Sequence, residues 1–534
     1  MKKKYLHTAA SALTALLLVT GCTAETAAAD PAGSTVQDTV TEETAAAEED
    51  STAAEETEGT EQAAEEAPAM PEGENGTPPE KPEGEEGMPE GGTPPERPDG
   101  ENGGPGGTPP ERPDGESGGP GGMPGGSTAD LTYTAGTKIT AADSQSNQTY
   151  SSTAADESAL LISTSDDVTI TDPTVTKTGD SDGGDNCNFY GLNAAVLVKD
   201  GSETTITGGT ITSDADGANG VFSYGGNGGQ NGASGDGTTV IIRDTAITTT
   251  GDGSGGIMTT GGGITYAYDL DVETSGRSSA AIRTDRGGGT VYVDGGTYTS
   301  NGLGSPAIYS TAEIHVANAA LTSNLSEGVC IEGLNSIELT DCDLTANNTK
   351  CNGNATFLDS IMIYQSMSGD ADSGTSSFTM TGGSLTSKSG HVFHVTNTNA
   401  LITLENVEIT NEDGDCVLLS VCDDGWSGAS NTASLIASDQ ELEGAVLVGE
   451  DSELTMELKE GSSFKGYISG EITNASGTSV SSETGTVSVS LDSTSTWTLT
   501  ADSYITSFEG DAANVHANGY TLYVNGIALS GTSD

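Results

Sequence analysis

Residues 278–304 read SSAAIRTDRGGGTVYVDGGTYTSNGLG. Two short strand patterns stand in this stretch, Ala281-Ile282-Arg283-Thr284 and Thr290-Val291-Tyr292-Val293, separated by a Gly-rich corner. A Gly-Gly-Thr turn follows. The pattern begins again at Ser305, SPAIYSTAEIHVANAALTSNLSE, and occurs before it at Ser254, SGGIMTTGGGITYAYDLDVETSGR. A unit of roughly two dozen residues that repeats strands, small residues and turns is the mark of a solenoid.

Working outward, the same first strand begins near Ala159, Ala195, Gly220, Gly256, Ala281, Ala307, Val329, Ile361, Val392, Val417 and Val446. Most units carry a second strand, such as Val240-Ile-Ile, Val291-Tyr-Val and Ile402-Thr-Leu. Many close on a third, such as Ile211-Thr212-Ser213, Leu321-Thr322-Ser323 and Leu385-Thr386-Ser387. Alternation with period two turns one apolar residue in and one polar residue out. Runs this short, separated by Gly, Asn and Asp, do not make helices. Three strands per turn, stacked ~4.8 Å apart, predict an all-β chain. The expected architecture is a right-handed parallel β-helix of about 10–11 coils over residues 128–475, because parallel crossovers favour that hand. This pattern resembles the pectate-lyase-like β-helix superfamily. Gly/Asn-rich stretches at 225–237, 346–357, 368–376 and 423–431 read as loops bulging from the stack, where such folds often build a binding face.

Composition agrees. Aromatics are 4% and hydrophobics 33%, against 75 glycines. A thick globular core needs more large apolar side chains, whereas each coil of a solenoid buries only a few against its neighbours. The net charge of -63, with 17 Lys plus Arg, excludes nucleic acid as a partner.

The chain begins with Lys2-Lys3-Lys4 and an apolar run, Ala9 to Val19, that is too short to span a bilayer. It ends in Leu18-Val19-Thr20-Gly21-Cys22, which resembles the bacterial lipoprotein signal, with Val19 where that pattern prefers Leu. The resemblance implies lipidation of Cys22 after removal of residues 1–21, and a diacyl group suffices for stable membrane attachment. Residues 23–127 read as a disordered linker. Its first half is acidic and free of Lys and Arg. Its second repeats Thr77-Pro-Pro-Glu-Lys-Pro, Thr93-Pro-Pro-Glu-Arg-Pro and Thr108-Pro-Pro-Glu-Arg-Pro. Extended polyproline II at ~3.1 Å per residue would let it reach roughly 300 Å. An anchor, a long spacer and a folded head suit passage through a thick cell wall. The expected location is therefore the extracellular face of a cell membrane, of Gram-positive type.

Residues 476–534 depart from the coil pattern. Trp497-Thr-Leu-Thr, Tyr504-Ile-Thr-Ser-Phe508 and Gly519-Tyr-Thr-Leu-Tyr-Val are similar to the end segment of autotransporter and adhesin passenger helices, with Phe508 where that pattern has Leu. A solenoid end needs a cap, and Trp497, Tyr504 and Tyr520 are expected to supply it. The six cysteines after Cys22 show no zinc-finger spacing; they read as buried fillers, or as pairs Cys416–Cys422 and Cys342–Cys351.

No Gly-x-Ser-x-Gly, P-loop or His-Glu-x-x-His motif is present. Aligning the first strands yields an outward row: Leu197, Phe222, Met258, Arg283, Tyr309, Glu332, Tyr364 and His394. It turns from apolar to charged and aromatic at its middle. Arg283, Asp285, Arg286, Tyr309, Glu332 and Tyr364 are expected on one face, with Tyr224 beyond Phe222. Arg283, Arg286, Tyr309, Tyr364 and Tyr224 are the candidate ligand-binding residues, since tyrosines stack on sugars and arginines hold carboxylates or hydroxyls. Asp285 and Glu332, two coils and so roughly 10 Å apart, are the candidate catalytic pair, near the ~6.5–9.5 Å separation of an inverting glycosidase. The competing reading is a surface salt bridge, Arg283 to Glu332 or Arg286 to Asp285. Resemblance to the lyases implies Ca²⁺ between clustered carboxylates, and Asp180, Asp182 and Asp185 have suitable oxygens; a solvated acidic turn is the alternative, and no other cofactor is expected. Three functions follow: adhesin-like binding of a glycan or protein ligand, a polysaccharide hydrolase or lyase, or a structural stalk.

Overall fold

The computed structural model describes residues 131–228 and 234–534. The signal segment, Cys22 and the linker lie outside the described residues. The described chain is a parallel β-helix. Its first ladder holds 15 strands in sequence order, one per coil, from Thr134–Ile139 to Val515–His516. The second ladder runs from Asp143–Ser146 to Ser507–Glu509, and the third from Thr149–Ser152 to Glu408–Asn411. These two merge into one 22-stranded sheet, because Gly263–Thr274 and Gly289–Ser300 each pass unbroken from one to the other. Two short antiparallel pairs stand apart, Ile472–Thr473 with Ser479–Ser481 and Leu522–Val524 with Ile527–Ala528.

The eleven first strands anticipated from sequence all form. One more precedes them, Thr134–Ile139. Three follow, Ser463–Ser469, Thr496–Leu499 and Val515–His516. The stack therefore runs on into the segment read as a cap. Trp497 lies inside it, 0% exposed, while Tyr504 stacks on Tyr523 at the surface and Tyr520 is exposed. All six cysteines after Cys22 are unpaired.

Local chemistry explains the coil. Glu203–Thr207 and Thr239–Arg243 alternate buried and less buried residues, as half-buried strands do. The corner between second and third strands needs at least one left-handed residue per coil, and Asp172, Gly208, Asp244, Asp269, Gly295 and Asn318 stand there with φ between 48° and 76°. Only Gly, Asn and Asp take that conformation readily.

The first ladder differs, being buried on both faces along most of its length: Val221–Tyr224, Ile257–Thr260 and Val417–Val421 are buried at every position. Two outer covers cause this. Near the N-terminal end the short helix Asp185–Tyr190 lays Phe189 and Tyr190 over Leu161, Leu197, Phe222 and Met258. Toward the C-terminal end Phe357 and Ile472 pack over Val417, Cys422 and Leu447. Burying one such large apolar side chain contributes about 1.5–3 kcal/mol. Between the covers lies the stretch of ladder with the charged residues.

Candidate functional site

The register of the first ladder sets the site. Leu197, Phe222, Met258, Arg283 and Tyr309 pair in succession, as expected. The row then continues through Cys330, Met362 and His394, not through Glu332 and Tyr364. Glu332 and Tyr364 pair with each other two residues farther along their strands. Outward positions recur every second residue, so a shift of two keeps a side chain outside while moving it to the next row. Arg283 and Asp285 occupy the two rows within one coil.

The predicted residues do come together, but as a closed network. Arg283 Nη2 donates to Asp285 Oδ2 at 2.6 Å, and its guanidinium lies 5.4 Å from the centre of the Tyr309 ring. The backbone N–H of Arg286 donates to Asp285 Oδ1 at 2.9 Å. Arg286 does not pair with the Asp285 carboxylate through its side chain, nor Arg283 with Glu332. The Arg286 guanidinium grips Asp370 through Nε, at 3.1 Å, and Nη2, and it rests 4.3 Å from the Phe189 ring. Glu332 accepts from four hydroxyls. Tyr309 reaches Oε2 at 2.5 Å and Tyr364 at 3.2 Å; Ser366 and Ser368 reach Oε1. Tyr364 also meets Trp426, 5.1 Å away with the rings tilted.

Asp285 and Glu332 are both buried, roofed by the loop that carries Ser366, Ser368 and Asp370. Burial pushes the Asp285 carboxyl up to about 6, although the Arg283 guanidinium pulls it the other way. Burial, reinforced by the Glu332 carboxylate, holds the Tyr309 and Tyr364 hydroxyls well above their ordinary range. Tyr224 stands apart: it is buried in the N-terminal cover, edge-on to Tyr190 at 5.8 Å. Asp180, Asp182 and Asp185 are exposed at the turn into the helix. Asp180 Oδ1 accepts the N–H of Asp216 at 3.0 Å, and Asp216 and Asp252 repeat the link coil by coil, so this carboxylate serves the turn. Among the described residues no group of three or more His, Cys, Asp or Glu side chains is arranged to hold a metal ion.

Sequence reasoning missed Asp370, Ser366, Ser368 and Trp426. Their only signal was that the segments around 368–376 and 423–431 exceed the coil length. A second polar cluster gathers around His391 and His394, the latter the end of the outward row. Both Nδ1 atoms lie 2.7 Å from Ser420 Oγ, and His394 Nε2 lies 3.4 Å from Asp424 Oδ2. Thr356 N–H donates to Asp424 Oδ1 at 2.6 Å, and Phe357 stacks over His394 at 4.6 Å. Burial pushes the His391 imidazole down to about 3. Beneath them Asp359 is fully buried, with no hydrogen-bond partner for either oxygen.

No protein-family model matches this chain, and a search of curated proteins returns no match.

Proposed function

We infer that the chain is a lipid-anchored cell-surface protein whose β-helical head binds a glycan or protein ligand and does not cleave it. The observation that supports this reading is the engagement of both candidate catalytic carboxylates: Asp285 is held by Arg283, and Glu332 by four hydroxyls. A carboxylate whose lone pairs are filled by its own fold is poorly placed to activate water. The half-buried Tyr364 and Trp426 rings and the two arginines leave aromatic and cationic edges at the rim, the groups that ligand surfaces use most.

The mature chain, displayed on glycan and matrix-protein arrays, is expected to bind without releasing products. The combined change Tyr364→Ala with Trp426→Ala should weaken binding at least tenfold. One observation favours the hydrolase or lyase reading instead: a buried carboxyl raised to about 6 is suited to protonating a leaving group. Product release that disappears in Asp285→Asn would establish that alternative.

The anchor has its own test. In a bacterial host that lipidates exported proteins, Cys22→Ala is expected to move the protein from the membrane fraction to the medium. Retention of that variant in the membrane would refute lipidation at this residue.

A further inference from the structure

Where the first strands end, the chain turns a corner in every coil, and a groove of about 580 Å³ runs along these corners. It crosses six successive coils, from Gly235 past Gly262, Gly288 and Thr311 to Leu334 and then Asp372. At ~4.8 Å per coil that is a path of roughly 24 Å, parallel to the helix axis. Its two ends are made by Ser234 and Gly235 and by Asp372, Thr375 and Ser377. Glycine is required at this corner, because Gly287 and Gly289 have φ of 92° and 148° and the backbone at Asn227 packs so close that a Cβ on Gly287 would fall 2.6 Å from Asn227 O.

We propose that this groove binds a linear, uncharged glycan, several sugar units long, lying along the helix axis. The inference rests on the reading of the head as a binding module and names the class of its ligand. Thr311 carries the argument. It lines the groove and is 0% exposed, and its N–H donates to Thr284 Oγ1 at 2.9 Å, yet its own Oγ1 has no hydrogen-bond partner. A buried hydroxyl without a partner costs stability, so it is retained where something satisfies it. Thr290, Asn335 and Ser336 add hydroxyl and amide groups along the same path. Leu334 is 56% exposed at the wall, an apolar surface for the C–H face of a sugar ring.

Charge narrows the class. Glu313 and Asp372 line the groove and no Lys or Arg does, which disfavours acidic polysaccharides in a chain that already carries -63. An extended peptide would need a free strand edge. The floor offers little of one: Gly262 N–H donates to Gly288 O, Leu334 N–H to Asp372 O and Ser336 N–H to Ala312 O, all within 3.0 Å.

The mature full-length chain is titrated calorimetrically with cellohexaose, mannohexaose and xylohexaose, and separately with hexagalacturonate and a Lys-rich peptide. At least one neutral hexasaccharide is expected to bind, and the acidic one is not. Thr311→Val should lower that affinity at least tenfold with the melting temperature unchanged or raised. Leu334→Asp, at an exposed position, should lower it similarly. Binding of hexagalacturonate or the peptide alone, or no binding of any neutral sugar, overturns the proposal. So does affinity that survives both substitutions but is lost in the Tyr364→Ala, Trp426→Ala variant, which would leave the broader binding reading standing and place the ligand on the ladder face.

Discussion

Trp497→Ala is expected to unfasten the C-terminal coils while leaving the N-terminal half of the stack intact. Trp497 is fully buried, its Nε1 donates to Gly466 O at 3.1 Å, and its ring lies 5.5 Å from that of Phe464 in the preceding coil. In the ladder it pairs with Phe464 on one side and Val515 on the other. Truncating a buried Trp costs about 3–5 kcal/mol. In a solenoid each coil contacts only its neighbours, so this loss falls on the interfaces next to Trp497 and is not shared along the axis. Hydrogen exchange should report it directly. Amides of Thr486–Leu491 and Thr496–Leu499 should exchange more than about 100-fold faster, the equivalent of about 3 kcal/mol. Those of Val196–Lys199 should keep their protection. Equal loss at both ends would show that the stack unfolds as one unit, and the local account would be wrong.

Asp359→Asn is expected to make the protein more stable at neutral pH and to flatten its stability between pH 4 and pH 7. Burial, with the nearby carboxylates of Glu327 and Asp424, holds the Asp359 carboxyl well above the usual carboxylate range. An acid whose pKa is raised by folding binds its proton more tightly in the native state. Its contribution is intact below the unfolded value near 3.9 and is lost as pH rises toward the native value. The neighbouring His391, which pairs with Asp359 in the ladder, has the opposite sign. Its pKa is depressed to about 3, so its contribution is present above about 6.5 and declines as pH falls. Comparing the variant with the parent at each pH cancels the histidine and isolates Asp359. Asparagine keeps the shape and has nothing to titrate. Removing the cost of either holding that proton or burying an unpartnered charge is worth about 1–3 kcal/mol at pH 7. Denaturation curves for the two proteins that run parallel from pH 4 to pH 7 would exclude this role for Asp359.

The coil was legible because its causes are local. Period-two alternation, short strands and an Asp, Asn or Gly at the left-handed corner each act within a few residues and recur in every unit. The position of Arg283 and Tyr309 in one row was legible for the same reason, since their strands have matching lengths on either side. The row failed at Glu332. Moving by two residues along a strand preserves the outward side, so hydrophobic pattern cannot distinguish the two alignments. Insertions of unequal length beyond that coil removed the spacing that would have decided between them.

The site's character was not legible, because distant segments create it. Asp370 reaches Arg286 from 84 residues away, and Ser366 and Ser368 close over Glu332 from 34 and 36 residues away. Tyr224 looked like an open ring on the face until the helix Asp185–Tyr190 proved to cover it.

What the sequence by itself determined, then, is the repeating unit, the side each strand turns inward and the chirality of its corners. These follow from backbone sterics and from the burial of alternate side chains. Only the tertiary structure decided which outward residues meet and which are roofed. It likewise set which corners stay open as a groove. Outward positions are equivalent in pattern, and they acquire distinct surroundings only when loops fold back over the ladder.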